Sequence, residues 1–323
     1  MSAAPEISVV MGVYNGGETL APTIDSILGQ QDADFEFIIV DDGSTDGSGR
    51  IADEYAARDP RLRVIHQANG GLTRALIAGC AAARGRYIAR QDSGDLSAPH
   101  RLSAQARVLD GDNSVLFVSC WTRYAGPRLE PMYTFRGTGR AARPVRIIDL
   151  DARYCHIDEP AHHGSVMFRR DAYERAGGYR SAFRYAQDWD LWYRLAELGN
   201  FQMIEEVLYT ARISPDSITS RARKTQQELA ALMVEMIRTR ARGESDSALL
   251  GKAAEISARK HLSICSHARG LYFIGEALRR KGDRRCCSYL FRAGTRCPFL
   301  IKSWLRLLQS MAITTSDANP SDV

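Results

Sequence analysis

Several features are missing from this chain of 323 residues. No apolar run approaches the length that a membrane-spanning helix needs. The opening residues, Met1-Ser-Ala-Ala-Pro-Glu-Ile-Ser8, have no basic region followed by an apolar stretch, so no signal peptide is expected. The seven cysteines, Cys80, Cys120, Cys155, Cys265, Cys286, Cys287 and Cys297, make no C-x-x-C pair and no even spacing. That argues against a zinc site or a disulfide framework, and reduced cytosolic thiols are expected. Charge of one sign is also scarce: the net +5 suits an anionic small molecule or a membrane surface and is too weak to argue for nucleic acid. Apolar and charged fractions are ordinary, and the length allows one large domain plus an appendage.

What is present reads as strands alternating with helices. Ile7 to Met11, Phe35 to Val40, Leu62 to Ile65, Tyr87 to Ala89 and Val115 to Ser119 are expected strands. Helical patterns follow the first three, to about Gln30, after Asp46 and through Ala83. This alternation predicts βαβ units in a mostly parallel sheet. Each early strand ends in a polar or acidic loop, so those loops gather on one edge. Pro127 to Glu159, rich in Arg, Gly and Pro, reads as a long loop or small insertion. Ser165 to Phe168 is a candidate returning strand and Asp188 to Leu198 a helix. From about Ser220 the pattern is all-helical, which sets the expected domains at 1–219 and 220–323, with the last few residues disordered.

The stretch Phe35-Glu-Phe-Ile-Ile-Val-Asp-Asp-Gly-Ser-Thr-Asp-Gly-Ser48 puts three carboxylates at the end of a buried strand. One reading is a capped turn, with Asp46 or Ser44 holding the next helix start. A second is calcium, because Asp42, Ser44, Asp46 and Gly47 follow the spacing of a calcium loop. That loop also wants a Glu where Asp53 stands and a helix where Phe35–Val40 reads as a strand. A third is a ligand at the carboxyl end of a parallel strand.

Five segments taken together decide among them: Val13-Tyr14-Asn15, Asp41 to Asp46, Arg90-Gln-Asp-Ser-Gly-Asp95, His163 to Arg169, and Gln187-Asp-Trp-Asp-Leu-Trp192. In order and spacing this set resembles the family 2 glycosyltransferases over roughly the first two-thirds of the chain. The resemblance implies a GT-A fold: α/β, a Rossmann-like mixed and mostly parallel sheet with flanking helices, here followed by an all-helical extension.

It also implies roles. Asp42 resembles the residue that holds the nucleotide base; a carboxylate accepts from N3–H of uracil or thymine or N1–H of guanine, and uridine fits the family best. Val13, Tyr14 and Asn15 lie on the adjacent loop where the family packs the base. Arg74, opening the third helix, resembles a residue that reaches the nucleotide. Asp92 and Asp95 occupy the place of the DxD motif, whose hard oxygens suit Mg2+ or Mn2+ at the departing diphosphate. Asp95 is the expected metal ligand, with Asp92 on ribose or metal; Gly94 stands where many members carry an acid. Asp188 is the expected general base, with Gln187 in place of the usual acid before it. Asp190 is expected to cap the helix or orient a neighbour. Trp189 and Trp192 read as core at their helical spacing. His162 and His163 invite a metal reading, but adjacent strand residues point apart, so chelation by both is not expected. Arg212 sits where family members carry a mobile loop near the diphosphate. The Gln-x-x-Arg-Trp motif of processive synthases is absent, so transfer of one sugar is expected.

In the tail, Ala277-Leu278, Gly282-Asp283, Phe291-Arg-Ala293 and Pro298 resemble one tetratricopeptide-like hairpin. A single repeat must pack on the catalytic domain, a partner or a membrane. Its basic residues, Arg279 to Lys281 with Arg284 and Arg285, suit anionic lipid heads or a protein partner.

The resulting expectation is an inverting, metal-dependent transferase. It would move a sugar from a nucleoside diphosphate donor, UDP-linked by resemblance, to a hydroxyl on a glycan or lipid-linked acceptor in bacterial cell-surface polysaccharide or glycolipid assembly. Its place is cytoplasmic, peripheral at the inner face of the membrane. The rival from another class is a catalytically weak nucleotide-sugar-binding subunit, suggested by Gly94 and Gln187. A nucleotidyltransferase is disfavoured because Val13 to Glu18 contains no Lys or Arg.

Overall fold

The structure is a computed structural model that describes residues 4–137, 160, 162–216, 218–259 and 265–311. Its strands are β1 (Ile7–Val13), β2 (Phe35–Asp41), β3 (Leu62–His66), β4 (Tyr87–Arg90), β5 (Leu96–Ser97), β6 (Val115–Ala125), β7 (Pro131–Phe135), β8 (Met167–Arg169) and β9 (Asn200–Arg212). Its helices are α1 (Leu20–Leu28), α2 (Ser48–Ala56), α3 (Leu72–Ala82), α4 (Arg101–Gly111), α5 (Arg170–Arg175), α6 (Gln187–Leu198), α7 (Ile218–Ala241), α8 (Ser247–Ala258), α9 (Ser266–Arg280), α10 (Cys286–Arg296) and α11 (Ile301–Met311).

The strands form one mixed sheet in the order β3-β2-β1-β4-β8-β6-β9-β5, with β7 paired to β6. The first four run parallel, in register Val9 to Phe37, Val9 to Ala89 and Ile39 to Val64. Parallel strands covered on both faces must be apolar throughout. β1 and β2 are accordingly buried at every position. The antiparallel strand β8 follows β4. The parallel arrangement puts the loops after β1, β2, β3 and β4 on the same edge.

Chain contacts divide into two compact units: Met1–Thr122 with Thr134–Ala211 and Thr225–Arg259, and Arg123–Tyr133 with Arg212–Lys224 and Lys260–Val323. In the first unit one sheet face is covered by α1, α2 and α4 through Ile24, Ala52 and Leu102. The other is covered by α3, α5, α6, α7 and α8 through Leu76, Ala172, Leu191, Met233 and Leu249. Each large aliphatic side chain buried in this way contributes roughly 1.5–3 kcal/mol. The compact units therefore part from the expected cut at 219/220. The helical run after Ser220 reads uniformly, but its first part spends its apolar stripe on the sheet's core. In the second unit α9 and α10 form a hairpin whose core holds Leu271, Ile274, Leu278, Tyr289 and Leu290.

Three further expectations are revised. The segment after Pro127 is not all loop: Gly126–Glu130 turns β6 into β7, and residues 138–159 lie outside the described residues. β9, a 13-residue strand, was not expected, because Glu205-Glu206 interrupts its alternation. The thiols are not all reduced: Cys265, at the start of α9, is joined to Cys297, at the end of α10. Those two lie 32 residues apart and carry no spacing signal.

Candidate active site on the carboxyl edge of the sheet

The three acids after β2 serve three different loops. Asp41 accepts from Ser44 N at 3.0 Å and pairs with His66 Nδ1 at 3.0 Å. Burial would raise its carboxyl, but Ser44 and His66 hold it below the usual range. Asp42 is buried and accepts from Gln67 Nε2 at 2.7 Å, Gly70 N at 2.8 Å and Gly71 N at 2.7 Å. It thereby shapes the turn that opens α3. Asp46 accepts from Gly17 N at 3.0 Å and from the Ser48 hydroxyl at 2.6 Å. Carboxylates aimed three ways cannot share one cation, so the calcium reading fails.

Asn15, at φ +53, ties the first loop to the second: its N–H donates to Ser44 Oγ and its Oδ1 accepts from Thr45 N. Val13 is buried, and its carbonyl accepts from Asp42 N at 2.8 Å. Tyr14 is 55% exposed, and Arg74 is exposed in the first turn of α3. A surface of exposed aromatic and guanidinium thus flanks the Asp42 turn.

After β4 the chain turns through Asp92-Ser-Gly-Asp95. Gly94 has φ +99, a conformation that side-chain-bearing residues rarely adopt, so the backbone of this turn itself calls for glycine there. Asp92 Oδ1 pairs with Arg90 Nη2 at 2.7 Å, and Arg90 is fully buried. Burial opposes ionisation of Asp92, yet Arg90 and the neighbouring histidines hold its carboxyl below the usual range. Asp95 is buried and accepts from the Tyr209 hydroxyl at 2.9 Å.

His162 Nδ1 lies 3.7 Å from Asp95 Oδ2 and 3.9 Å from Asp92 Oδ2. Asp92, Asp95 and His162 are the only such cluster among the described residues, with one ligand atom from each within 4.8 Å of the others. Two carboxylates and an imidazole suit a small divalent cation, and the imidazole tilts the set towards Mn2+ over Mg2+. Ser93 Oγ, in the same turn, is buried with no hydrogen-bond partner. Ser93 Oγ faces Gly16 on the first loop, so the cluster alone is what fits a bound cation.

His163 points elsewhere, although neither histidine lies in a strand: His162 caps, and His163 opens, a single 3-10 turn. It meets the Tyr179 hydroxyl at 2.6 Å and packs edge-on to Trp192. Burial pushes it down to about 3, so it stays neutral.

Asp188 stands in the first turn of α6, and the residue at its N-cap, Ala186, is held at φ +55. Non-glycine backbone in that region is strained, and such strain clusters at functional sites. Burial raises the Asp188 carboxyl to about 6, and the charge of Asp92 adds to the rise. A carboxyl so placed gains and loses its proton near neutrality, which a general base requires. Asp190 faces the other way, between Arg180 and Arg194 Nη2 at 2.6 Å. It is structural, as is Trp192 in the core.

Sequence reasoning missed four supports. Tyr209, on β9, donates to Asp95 and accepts from Asp92 N at 3.1 Å. Arg101, fully buried, donates to the carbonyls of Arg90 at 2.9 Å and Gly164 at 3.0 Å. Gly164 leaves room for Tyr209: a Cβ there would sit 1.9 Å from its hydroxyl. His162 was set aside with His163. The charged Arg90, closing the apolar run Tyr87-Ile-Ala, was the available signal for a buried charge pair.

Comparison with known proteins identifies the family. The family model described as Glycosyl transferase family 2 matches residues 8–177. EpsE and EpsJ of Bacillus subtilis, both named as glycosyltransferases, are 35% and 34% identical over 235 and 233 residues. These spans cover 69% and 67% of this chain, and 78% and 63% of those proteins. Among solved structures, S. aureus TarS 1-349 in complex with UDP matches at a TM-score of 0.56 with 15% identity. It covers 94% of this chain and 88% of that one, a likeness of fold.

Proposed function

This chain belongs to glycosyl transferase family 2 and is a glycosyltransferase, and from that premise we propose an inverting transfer of one sugar from a UDP-linked donor to a hydroxyl. The observation that carries the proposal is the meeting of Asp92, Asp95 and His162 with an Asp188 whose carboxyl sits at about 6 and feels the Asp92 charge. Asp92, Asp95 and His162 would hold Mg2+ or Mn2+; when bound, the cation neutralises charge developing on the diphosphate. Tyr209 and Arg90 fix one oxygen each of Asp95 and Asp92, which orients the carboxylates before any ligand arrives. Asp42 aligns the base: Oδ2 takes one backbone donor and keeps a lone pair for a base N–H. Val13, Tyr14, Asn15 and Arg74 border the nucleotide. Asp188, ionised above about 6, takes the acceptor hydroxyl's proton as the oxygen attacks the anomeric carbon from the face opposite the diphosphate. One base and one displacement give inversion.

The acceptor is a glycan or lipid-linked hydroxyl of a bacterial cell-surface polymer, reached from the cytoplasmic side. No helix among the described residues is long and apolar enough to cross a membrane. The Cys265–Cys297 bond is the feature that speaks against a permanently reducing compartment. A binding-only subunit is less well supported: Gly94 is explained by its backbone, and a raised Asp188 has no use in mere binding.

The test is release of UDP from a panel of UDP-sugars, with manganese and an acceptor extract, by the wild type and Asp188→Asn. The proposal expects one donor to turn over, with a loss on the order of a hundredfold or more in the variant. Equal rates in both proteins would remove Asp188 from the chemistry.

A further inference from the structure

The last described helix is built inside out. At 100° per residue, Ile301, Trp304, Leu305, Leu308 and Met311 fall within about 120° of arc on α11. A helix that packs on a bundle turns such an arc inward. Here the side turned to α9 and α10 holds only Ser303, Ser310 and the partly buried Leu307, and Ser303 Oγ donates to the Leu290 carbonyl at 2.6 Å. Trp304, at one edge of the arc, is half-buried against Gly294 of α10, and the rest of the arc faces out: Ile301 is 67% exposed, Leu305 54%, Leu308 66% and Met311 72%. Phe299, just before the helix, is 92% exposed. Phe291 of α10, also exposed, lies edge-on to Trp304 at 6.1 Å and extends the patch.

The border of the patch is cationic. Lys302 flanks the arc on α11, and the side-chain bond between Ser310 and Cys286 brings the other end of α11 beside Arg284 and Arg285, both exposed at the start of α10. Residues 279–311 hold nine basic side chains against one carboxylate, Asp283. We propose that this face binds the surface of an anionic lipid bilayer, with α11 lying in the plane of the headgroups. The chemistry matches on both counts: an outward apolar arc with aromatic ends enters the acyl boundary, and the basic rim meets anionic heads. The other occupants fit less well. A second copy would bring like charge against like charge. Residues 312–323 are mostly polar and include two aspartates, so they offer little to an apolar arc. This inference stands apart from the donor chemistry and survives or fails without it.

The experiment is flotation of the full chain with phosphatidylcholine vesicles, with and without phosphatidylglycerol. The expected result is flotation with the anionic vesicles, weak flotation with the neutral ones, and loss in high salt. Leu305→Ser with Leu308→Ser, both exposed in the structure, should weaken binding at least tenfold. Lys302→Glu and Arg284→Glu should each weaken it by about fivefold or more. Because a variant could misfold, the wild type carries its own readout. Trp304 fluorescence should shift to the blue on anionic vesicles, and Trp304→Phe should lose that shift. No flotation of the wild type, or equal flotation of the double leucine variant, would overturn the proposal. So would a concentration-dependent dimer that the same two substitutions abolish, since that would assign the face to a second copy.

Discussion

Replacing Gly164 by alanine puts a methyl group where a hydrogen was, and the structure says what it would meet. The new Cβ would lie 1.9 Å from the Tyr209 hydroxyl, 2.7 Å from its ring carbon and 3.0 Å from Asp92 N. Ordinary contact needs about 3.4 Å or more, so the hydroxyl must retreat by roughly 1.5 Å. That movement breaks its bond to Asp95 Oδ2 at 2.9 Å and its bond from Asp92 N at 3.1 Å. Two lost hydrogen bonds at about 1 kcal/mol each, with overpacking of about 1–3 kcal/mol, give a destabilisation of roughly 3–5 kcal/mol. Asp95 also loses the donor that orients it, so manganese affinity should fall on the order of ten- to a hundredfold. Thermal denaturation and manganese titration read the two effects separately. Tyr209→Phe should weaken manganese binding without the steric cost, and Gly164→Ala should cost less in that background. Gly164→Ala with wild-type stability and affinity would refute the reasoning.

Three further outcomes follow from the same geometry. The Asp188 carboxyl is raised to about 6, so its basic form is lost as pH falls through that value. Turnover should therefore rise with pH up to about 6 and level off; a profile flat across that range would dismiss Asp188 as the base. His162→Ala should lower manganese affinity about tenfold or more while leaving the fold intact, since His162 is partly exposed; unchanged affinity in calorimetry would remove it from the cluster. Asp42→Ala leaves Gln67 and the N–H groups of Gly70 and Gly71 without their acceptor, which should cost about 2–4 kcal/mol in a thermal melt. Asp42→Asn keeps the shape better, and undiminished UDP affinity in that variant would leave Asp42 a turn residue alone.

The parallel half of the sheet was legible because burial on both faces forces continuous apolar strands, and the acidic loops follow those strands directly. Asp92, Asp95 and Asp188 could be singled out because their segments resemble the motifs of family 2 glycosyltransferases. The supporting half could not be read in the same way. Tyr209 reaches Asp95 across 114 residues of chain from a strand whose alternation is broken by Glu205-Glu206. His162 joins the cluster only because the Gly164 turn, held by Arg101, aims it there. Asp42 was read for the base it would hold, and its three neighbouring donors show that it also shapes the turn. The compact units part from the cut at 219/220 for a related reason: helical spacing shows that an apolar stripe exists and not which core receives it.

Titration calorimetry of UDP addresses the account's central claim, that Asp92, Asp95 and His162 hold a cation for a nucleoside diphosphate. The wild type would be titrated with manganese and with chelator, and Asp95→Asn with manganese. The account predicts binding that needs the metal and falls at least tenfold in Asp95→Asn. UDP binding that persists unchanged in chelator, or in Asp95→Asn, would contradict it.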